Sequence, residues 1–206
     1  MMLKVYGRHT SSNVQKVLWA CTEMEVAFER FDMAGKFGFT DEYVAMNPNR
    51  VVPTIDDDGF ILWESNACVR YLVQKHGSGS LWPRDAQARA DADRWMDWQQ
   101  TTVGGAITPI FWNLVRTAEP DRDLAAIEAA RLTMIDLMWI IDKALADRPY
   151  LAGDTFTMGD IPIAIAVYRW VTLIQDRPAM ANLEAWYDRL TQRAALKTNV
   201  LDIPLT

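Results

Sequence analysis

The chain is poor in residues that define several protein classes. It carries two cysteines, Cys21 and Cys68, among 206 residues. Two are too few for a disulfide scaffold, and they fall at no metal-ligand spacing. Positive charge is in deficit, with 21 Lys and Arg against 27 Asp and Glu and a net charge of −6. That balance excludes the basic face a general nucleic-acid binder needs for phosphates. No stretch comes near the roughly 18 uninterrupted apolar residues of a membrane span, so no membrane partner is expected. The opening MMLKVYGRHTSS has no apolar h-region, so no secretory signal is expected. What remains is globular: 50% hydrophobic, 23% charged and 11% aromatic, with nine tryptophans. This supports a real core and excludes a disordered or collagen-like chain. A soluble, cytoplasmic protein is expected; at roughly 150 residues per nominal domain the chain has room for one large domain or a modest pair.

The front and back of the chain read differently. Leu3–Tyr6 and Val26–Phe31 are strand candidates, separated by a segment in which Val14, Val17, Leu18, Cys21 and Met24 keep helical spacing. Strand, helix and strand within about thirty residues make a βαβ unit, hence a parallel pair with a right-handed crossover. A short helix over Asp41–Met46 comes next, with Thr40 as its cap and Asn47-Pro48 as its stop. Val51–Ile55 and Phe60–Trp63 flank Asp57, Asp58 and Gly59, an antiparallel hairpin signal. A further helix runs from about Ser65 to Lys75. The order βαβ-α-ββα is that of an α/β thioredoxin-like domain, placed at residues 1–80. Residues 77–84, GSGSLWPR, read as a linker. Beyond it lies an all-α helical domain, placed at residues 85–206. Asp85–Val115 is helical but interrupted by Gly104-Gly105 and Pro109; Arg122–Ala146 is a long amphipathic helix; Ile161–Ile174 is nearly all apolar and reads as buried; Ala181–Leu196 is the last. No internal repeat is visible.

Three short motifs carry candidate chemistry. In HTSSNVQKVLW, Ser12 and Gln15 fit a capping box at the start of the first helix. Ser11 then lies one residue outside the cap, facing the free amides and positive end of the helix, where a hydroxyl is well placed for an anion or thiolate. In NPNRVVPTI the Val52-Pro53 pair opens a strand, a position that suits Pro because it cannot donate to a ladder. In WESNA, Ser65 is a natural helix cap. Glu64 and Ser65 can also be read as a paired acceptor and donor for an amino-acid-like ligand, with helix amides taking its carboxylate. Cys21 and Cys68 fall on apolar helix faces and read as core packing. His9 lies close to these motifs, and a lone loop His reads as exposed.

Taken together and in this order, the motifs resemble the cytosolic glutathione transferases, in their serine-type theta- and phi-like bacterial form. The resemblance covers the whole chain. Tyr150–Asp154 followed by Phe156–Ile161 is similar to that family's helical-domain signature, where Thr157 caps a buried helix with Asp160 as partner. The resemblance implies a glutathione S-transferase with no metal and no cofactor beyond glutathione as co-substrate. It implies Ser11 as the hydroxyl on the glutathione sulfur and Val52 as the backbone partner of the cysteinyl part, positioned by a cis Pro53. It implies Glu64 and Ser65 at the γ-glutamyl end. The basic residue for the glycyl carboxylate is left between Arg50 and Lys36. The family places a basic residue directly before Val-Pro, where this chain has Val51, and a one-residue shift on a strand reverses the face. The resemblance also implies a homodimer and small apolar electrophiles as co-substrates.

On the first helical segment of the second domain, Trp98, Thr102, Ile107 and Trp112 are candidates to wall the electrophile pocket; a Met and Trp stripe reads equally as core. A non-catalytic binding protein of the same fold and a specialised glutathione-dependent isomerase, dehalogenase or peroxidase are the competing readings.

Overall fold

The computed structural model describes residues 2–77, 79 and 81–206. Within the linker-like stretch 77–84, Ser78 and Ser80 lie outside the described residues. The chain divides into two compact units, one of residues 1–82 with Ala194–Pro204, the other of Pro83–Arg193 with Leu205–Thr206. The sequence pattern extends the second domain through residue 206, whereas residues 194–204 group with the first unit.

The first unit is built on a four-stranded sheet in the order β2-β1-β3-β4. Strand β1 (Leu3–Tyr6) runs parallel to β2 (Phe28–Phe31) and antiparallel to β3 (Thr54–Asp57), which pairs antiparallel with β4 (Phe60–Trp63). The parallel pair requires a crossover, supplied by α1 (Ser12–Glu23). Strand β2 begins two residues later than the apolar run suggests, and β3 begins only after Pro53, which has no N–H for a ladder. The β3–β4 hairpin turns through Asp58 and Gly59, both at positive φ, as a two-residue loop of this kind demands. Asp56 Oδ1 accepts from the Gly59 N–H at 2.8 Å and closes it. A single turn at Gly35–Phe37 leads to α2 (Asp41–Met46), whose cap Thr40 accepts from the Tyr43 N–H at 3.2 Å. Helix α3 (Ser65–His76) packs on α1.

Helix α1 is enclosed on nearly every side: all eight residues from Val14 to Cys21 are buried, Gln15 and Lys16 included. The returning segment contributes to this. Its short helix α9 (Ala194–Leu196) and the turn after it lie against α1, and Asn199 Nδ2 donates to Thr22 Oγ1 at 2.9 Å.

The second unit is helical. Helices α4 (Ala86–Trp98) and α5 (Gly104–Phe111) are joined by a π-turn at Gln99–Val103, and a second π-turn comes at Trp112–Arg116. The chain passes through Gly104-Gly105 and Pro109 without a break; the wide turns absorb the irregularity. Asp85 and Asp123 cap α4 and α6 (Leu124–Ala144) with their carboxylates. Helix α7 (Asp160–Leu173) is the buried centre, enclosing Ile161, Ile163, Ala164, Ile165, Val167 and Trp170. At its start Asp160 Oδ2 accepts from the Thr157 N–H at 2.9 Å, while Thr157 Oγ1 accepts from Gly159 N–H at 3.2 Å. The Asp160 half of the expected box is present, while the Thr157 hydroxyl takes the Gly159 N–H and the N-cap residue of α7 itself is Gly159. Helix α8 (Ala181–Thr191) has no cap of its own; Asp142 of α6 supplies one from outside, accepting from the N–H groups of Asn182 and Leu183 at 2.8 and 2.9 Å. Among the described residues no helix is long and apolar enough to cross a membrane.

Candidate functional site

Three chain turns of the first unit converge. The turn from β1 into α1 passes Gly7, at a φ of +150°, where a Cβ would stand 2.4 Å from Val14 Cγ2 and 3.1 Å from Val52 Cβ. No larger residue fits, so Gly7 lets the Val52 turn press against the start of α1. Arg30 Nη1 donates to the Gly7 carbonyl at 2.9 Å and holds the turn.

Ser11 is the N-cap residue of α1, with an extended backbone at φ −80° and ψ 121°, and helical hydrogen bonding begins at Gln15 N–H to the Ser11 carbonyl. This corrects the expectation that Ser12 is the cap with Gln15 as its box partner. Ser12 already belongs to the helix, and Ser11 takes the extended conformation of a cap. The Ser11 side chain accepts no hydrogen bond from the first turn of the helix. At 8% exposure its hydroxyl sits beside unspent amides at the positive end of α1.

The Val52–Pro53 peptide is cis. Val52 is enclosed and lies ahead of the β3 ladder, which pairs from Thr54 onward. Below it, the buried Tyr43 hydroxyl donates to the Val51 carbonyl at 2.6 Å and contacts Thr54 Oγ1 at 2.8 Å. Asn47 Nδ2 reaches the same two oxygens at 3.0 Å. These buried side chains stand in for the missing ladder bonds and fix the turn.

The third turn enters α3. Glu64 is its N-cap residue, at φ +71° and ψ 112°, and makes no side-chain cap bond. Ser65 is therefore the first helical residue, not the cap expected from the sequence. A non-glycine residue held at positive φ is strained, and such residues cluster at ligand sites. Ser65 is buried; its Oγ accepts from Lys16 Nζ at 3.3 Å and lies 3.3 Å from Asn13 Oδ1. Thus Ser11 and Asn13 from the start of α1, Val52 from the second turn and Ser65 from the third meet in one place.

Arg50 and Lys36 are both exposed on loops, Arg50 at φ +53° two residues before Val52, and Lys36 with its ammonium 5.1 Å from the Phe37 ring centre. His9 is half-buried, unlike the exposed loop His expected, and its Nε2 has no hydrogen-bond partner among the described residues. Burial, then the Arg30 guanidinium, lowers its pKa against the opposing pull of the Asn199 backbone and Asp32. Cys21 and Cys68 are fully buried, and burial pushes each thiol up to about 12, so neither supplies a thiolate.

The four second-unit candidates differ in exposure. Trp98 opens on a groove of about 410 Å³ with Arg94, Trp95, Ile140 and Ala144. Ile107 is core, Thr102 is exposed, and Trp112 is 53% exposed with Arg116 stacked at 5.4 Å. Two π-turns, at Gln99–Val103 and Trp112–Arg116, fall within or beside the segment that carries them. Each π-turn widens the turn by a residue and rotates the side chains beyond it.

Lys16 escapes a sequence reading. An amphipathic α1 would place Gln15 and Lys16 in solvent, but this helix is enclosed all round. The usable signal is a lysine one turn from the Ser11–Asn13 segment.

The first unit thus combines a thioredoxin-like sheet, a cis-Pro turn, a Ser11 hydroxyl that holds no amide of α1 and a Glu-Ser entry to α3. A family model described as the glutathione S-transferase N-terminal domain matches residues 10–75. The Escherichia coli protein glutathione S-transferase GstB is 39% identical over 209 aligned residues, covering 100% of both chains. Glutathione S-transferase 3 of Zea mays is 29% identical over 98% of this chain and 95% of its own. Among solved structures, a theta class glutathione S-transferase from Xanthomonas axonopodis pv. citri with glutathione bound is 44% identical, superposes with a TM-score of 0.95 and is covered to 99%, as is this chain. The chain belongs to the glutathione S-transferase family.

Proposed function

We propose that the converging turns bind glutathione and activate its thiol for attack on an apolar electrophile. The observation that carries this is the Ser11 hydroxyl, nearly buried at the positive end of α1 and committed to none of the helix's amides. Val52, ahead of the ladder, offers its backbone N–H and C=O to the cysteinyl part of the tripeptide, as an added strand would take them. The Glu64 carboxylate takes the γ-glutamyl ammonium, and Ser65 with the α3 amides takes the neighbouring carboxylate. Arg50 and Lys36 are the two proposed partners of the glycyl carboxylate.

A free thiol with a pKa near 8.5 is mostly protonated at neutral pH, and the thiolate is the nucleophile. Lowering that pKa by two units is worth roughly 2.7 kcal/mol, within reach of one charge-assisted hydrogen bond and a helix N-terminus. The proton leaves to solvent, the sulfur forms a bond to the electrophilic carbon, and that carbon's leaving group departs or its π-electrons shift away. Trp98, Thr102, Ile107 and Trp112 of the second unit are the proposed contacts for the electrophile. The working form is a homodimer; Leu132, Trp139 and Ile140, exposed on one side of α6, support this. A cytoplasmic location agrees with a thiol co-substrate kept reduced.

The test is titration calorimetry with glutathione, then turnover of a small panel of electrophiles. Wild-type protein binds and turns over. Glu64→Ala loses about ten- to a hundred-fold in affinity, since a charged ligand group is left without its partner. Binding without turnover of any electrophile favours a carrier; no binding overturns the reading.

A further inference from the structure

Lys16 reaches from α1 to the start of α3. It is 2% exposed, and its ammonium donates to Ser65 Oγ at the N-terminus of α3, an end that its own free amides already make positive. An ammonium has three donors and no acceptor. At that contact the Ser65 oxygen can only accept, so its single proton is directed away from Lys16. In this structure that proton lies toward Asn13 Oδ1, at 3.3 Å. The charge on Lys16 therefore sets the direction of the whole Lys16–Ser65–Asn13 chain.

We propose that Lys16 is a positioning residue for the carboxylate at the γ-glutamyl end of glutathione. It keeps Ser65 as a hydrogen-bond donor and adds positive potential where that carboxylate arrives. The incoming carboxylate replaces Asn13 Oδ1 as acceptor of the Ser65 proton. A neutral amide at position 16 lacks this effect, because its oxygen can accept the proton and turn Ser65 the wrong way round. The inference rests on the glutathione reading above, and it assigns Lys16 to binding and not to the sulfur, which lies with Ser11.

The test compares wild type, Lys16→Gln, Lys16→Arg, Ser65→Ala and the Lys16→Gln/Ser65→Ala double variant. Each is assayed with glutathione and with 4-aminobutyryl-Cys-Gly, which keeps the ammonium but lacks that carboxylate. Lys16→Gln is expected to raise KM and Kd for glutathione at least about tenfold, the scale of a lost charge-assisted bond. It leaves kcat and its pH profile in place and does not weaken the decarboxylated analogue. Lys16→Arg recovers most of the loss. In the Ser65→Ala background the Lys16→Gln change costs less than about threefold, because contacting residues are not additive. Equal losses for both ligands, or the same loss with and without the Ser65 hydroxyl, mean that Lys16 only supports folding and overturn the proposal. So does a Lys16→Gln protein that binds like wild type while Ser65→Ala and Glu64→Ala are weakened. A wild-type protein with no affinity for glutathione overturns the functional reading itself and this inference with it. Thermal melts of every variant separate unfolding from lost affinity, and if the Gln variant does not fold, Lys16→Met, which removes the charge from a side chain of similar length, carries the test with the same expected loss.

Discussion

Burial and the Arg30 guanidinium hold the His9 imidazole below its ordinary value of 6.5, two residues before Ser11. As the pH falls through about 6.5, an unfolded chain protonates its histidine first and the folded state is penalised. Stability therefore declines toward acid on account of this residue and is unaffected by it above neutrality. His9→Asn is expected to make the urea midpoint less sensitive between pH 7.5 and 5.5; an unchanged slope would remove His9 from the acid limb. The cysteines give a simpler expectation. With both thiols buried and pushed up to about 12, a thiol reagent titrates none in the native protein and two after denaturation. The serines show what one residue of register costs a sequence reading. Either of two adjacent serines can head a helix, and the capping-box pattern favours Ser12, whereas Ser11 has the extended backbone. Because the Ser11 hydroxyl holds no amide of the helix, Ser11→Ala is expected to lower stability by well under about 1 kcal/mol, read by thermal melting.

Helix starts show the same contrast between local and distant causes. Thr40, Asp85 and Asp123 cap their own helices from one residue away, and such caps can be read from a sequence. The cap of α8 is carried by Asp142 on α6, forty residues upstream of its Asn182 partner, and no local pattern announces it. Asp142→Ala strips two backbone N–H groups of their partner and is expected to cost about 1–2 kcal/mol in chemical denaturation. Asp160 is fully buried, and its carboxylate accepts from Leu151 and Thr157 N–H and from Trp186 Nε1. With the Thr157 hydroxyl as a fourth donor, Asp160→Ala leaves four buried donors without this partner and is expected to cost about 3 kcal/mol or more; a smaller loss than for Asp142→Ala would reverse this ranking. The Asp58-Gly59 hairpin and the β1–α1–β2 crossover are legible because turn chemistry and hydrophobic period agree there. The helical phase across residues 98–116 is not, because π-turns at 99–103 and 112–116 change it without any distinctive residue.

At the scale of the molecule, the thioredoxin-like and helical units are legible from the change in hydrophobic period near residue 80. The return of residues 194–204 to the first unit is not, since a short apolar helix reads alike wherever it packs. The same limit hides Lys16, whose burial depends on how many elements enclose α1. The candidate site is legible from three short motifs whose order matters more than any one of them. Light scattering is expected to give about twice 23.5 kDa at micromolar concentration, and a monomer mass would contradict the dimer. The central claim is that Ser11 lowers the pKa of bound glutathione. Its most direct measurement is a pH titration of thiolate ultraviolet absorbance in the glutathione complexes of wild type and Ser11→Ala. The account predicts a wild-type midpoint about two units below that of free glutathione, moved back toward the free value in Ser11→Ala, with activity partly recovered at high pH. Coincident titrations for the two proteins would contradict it.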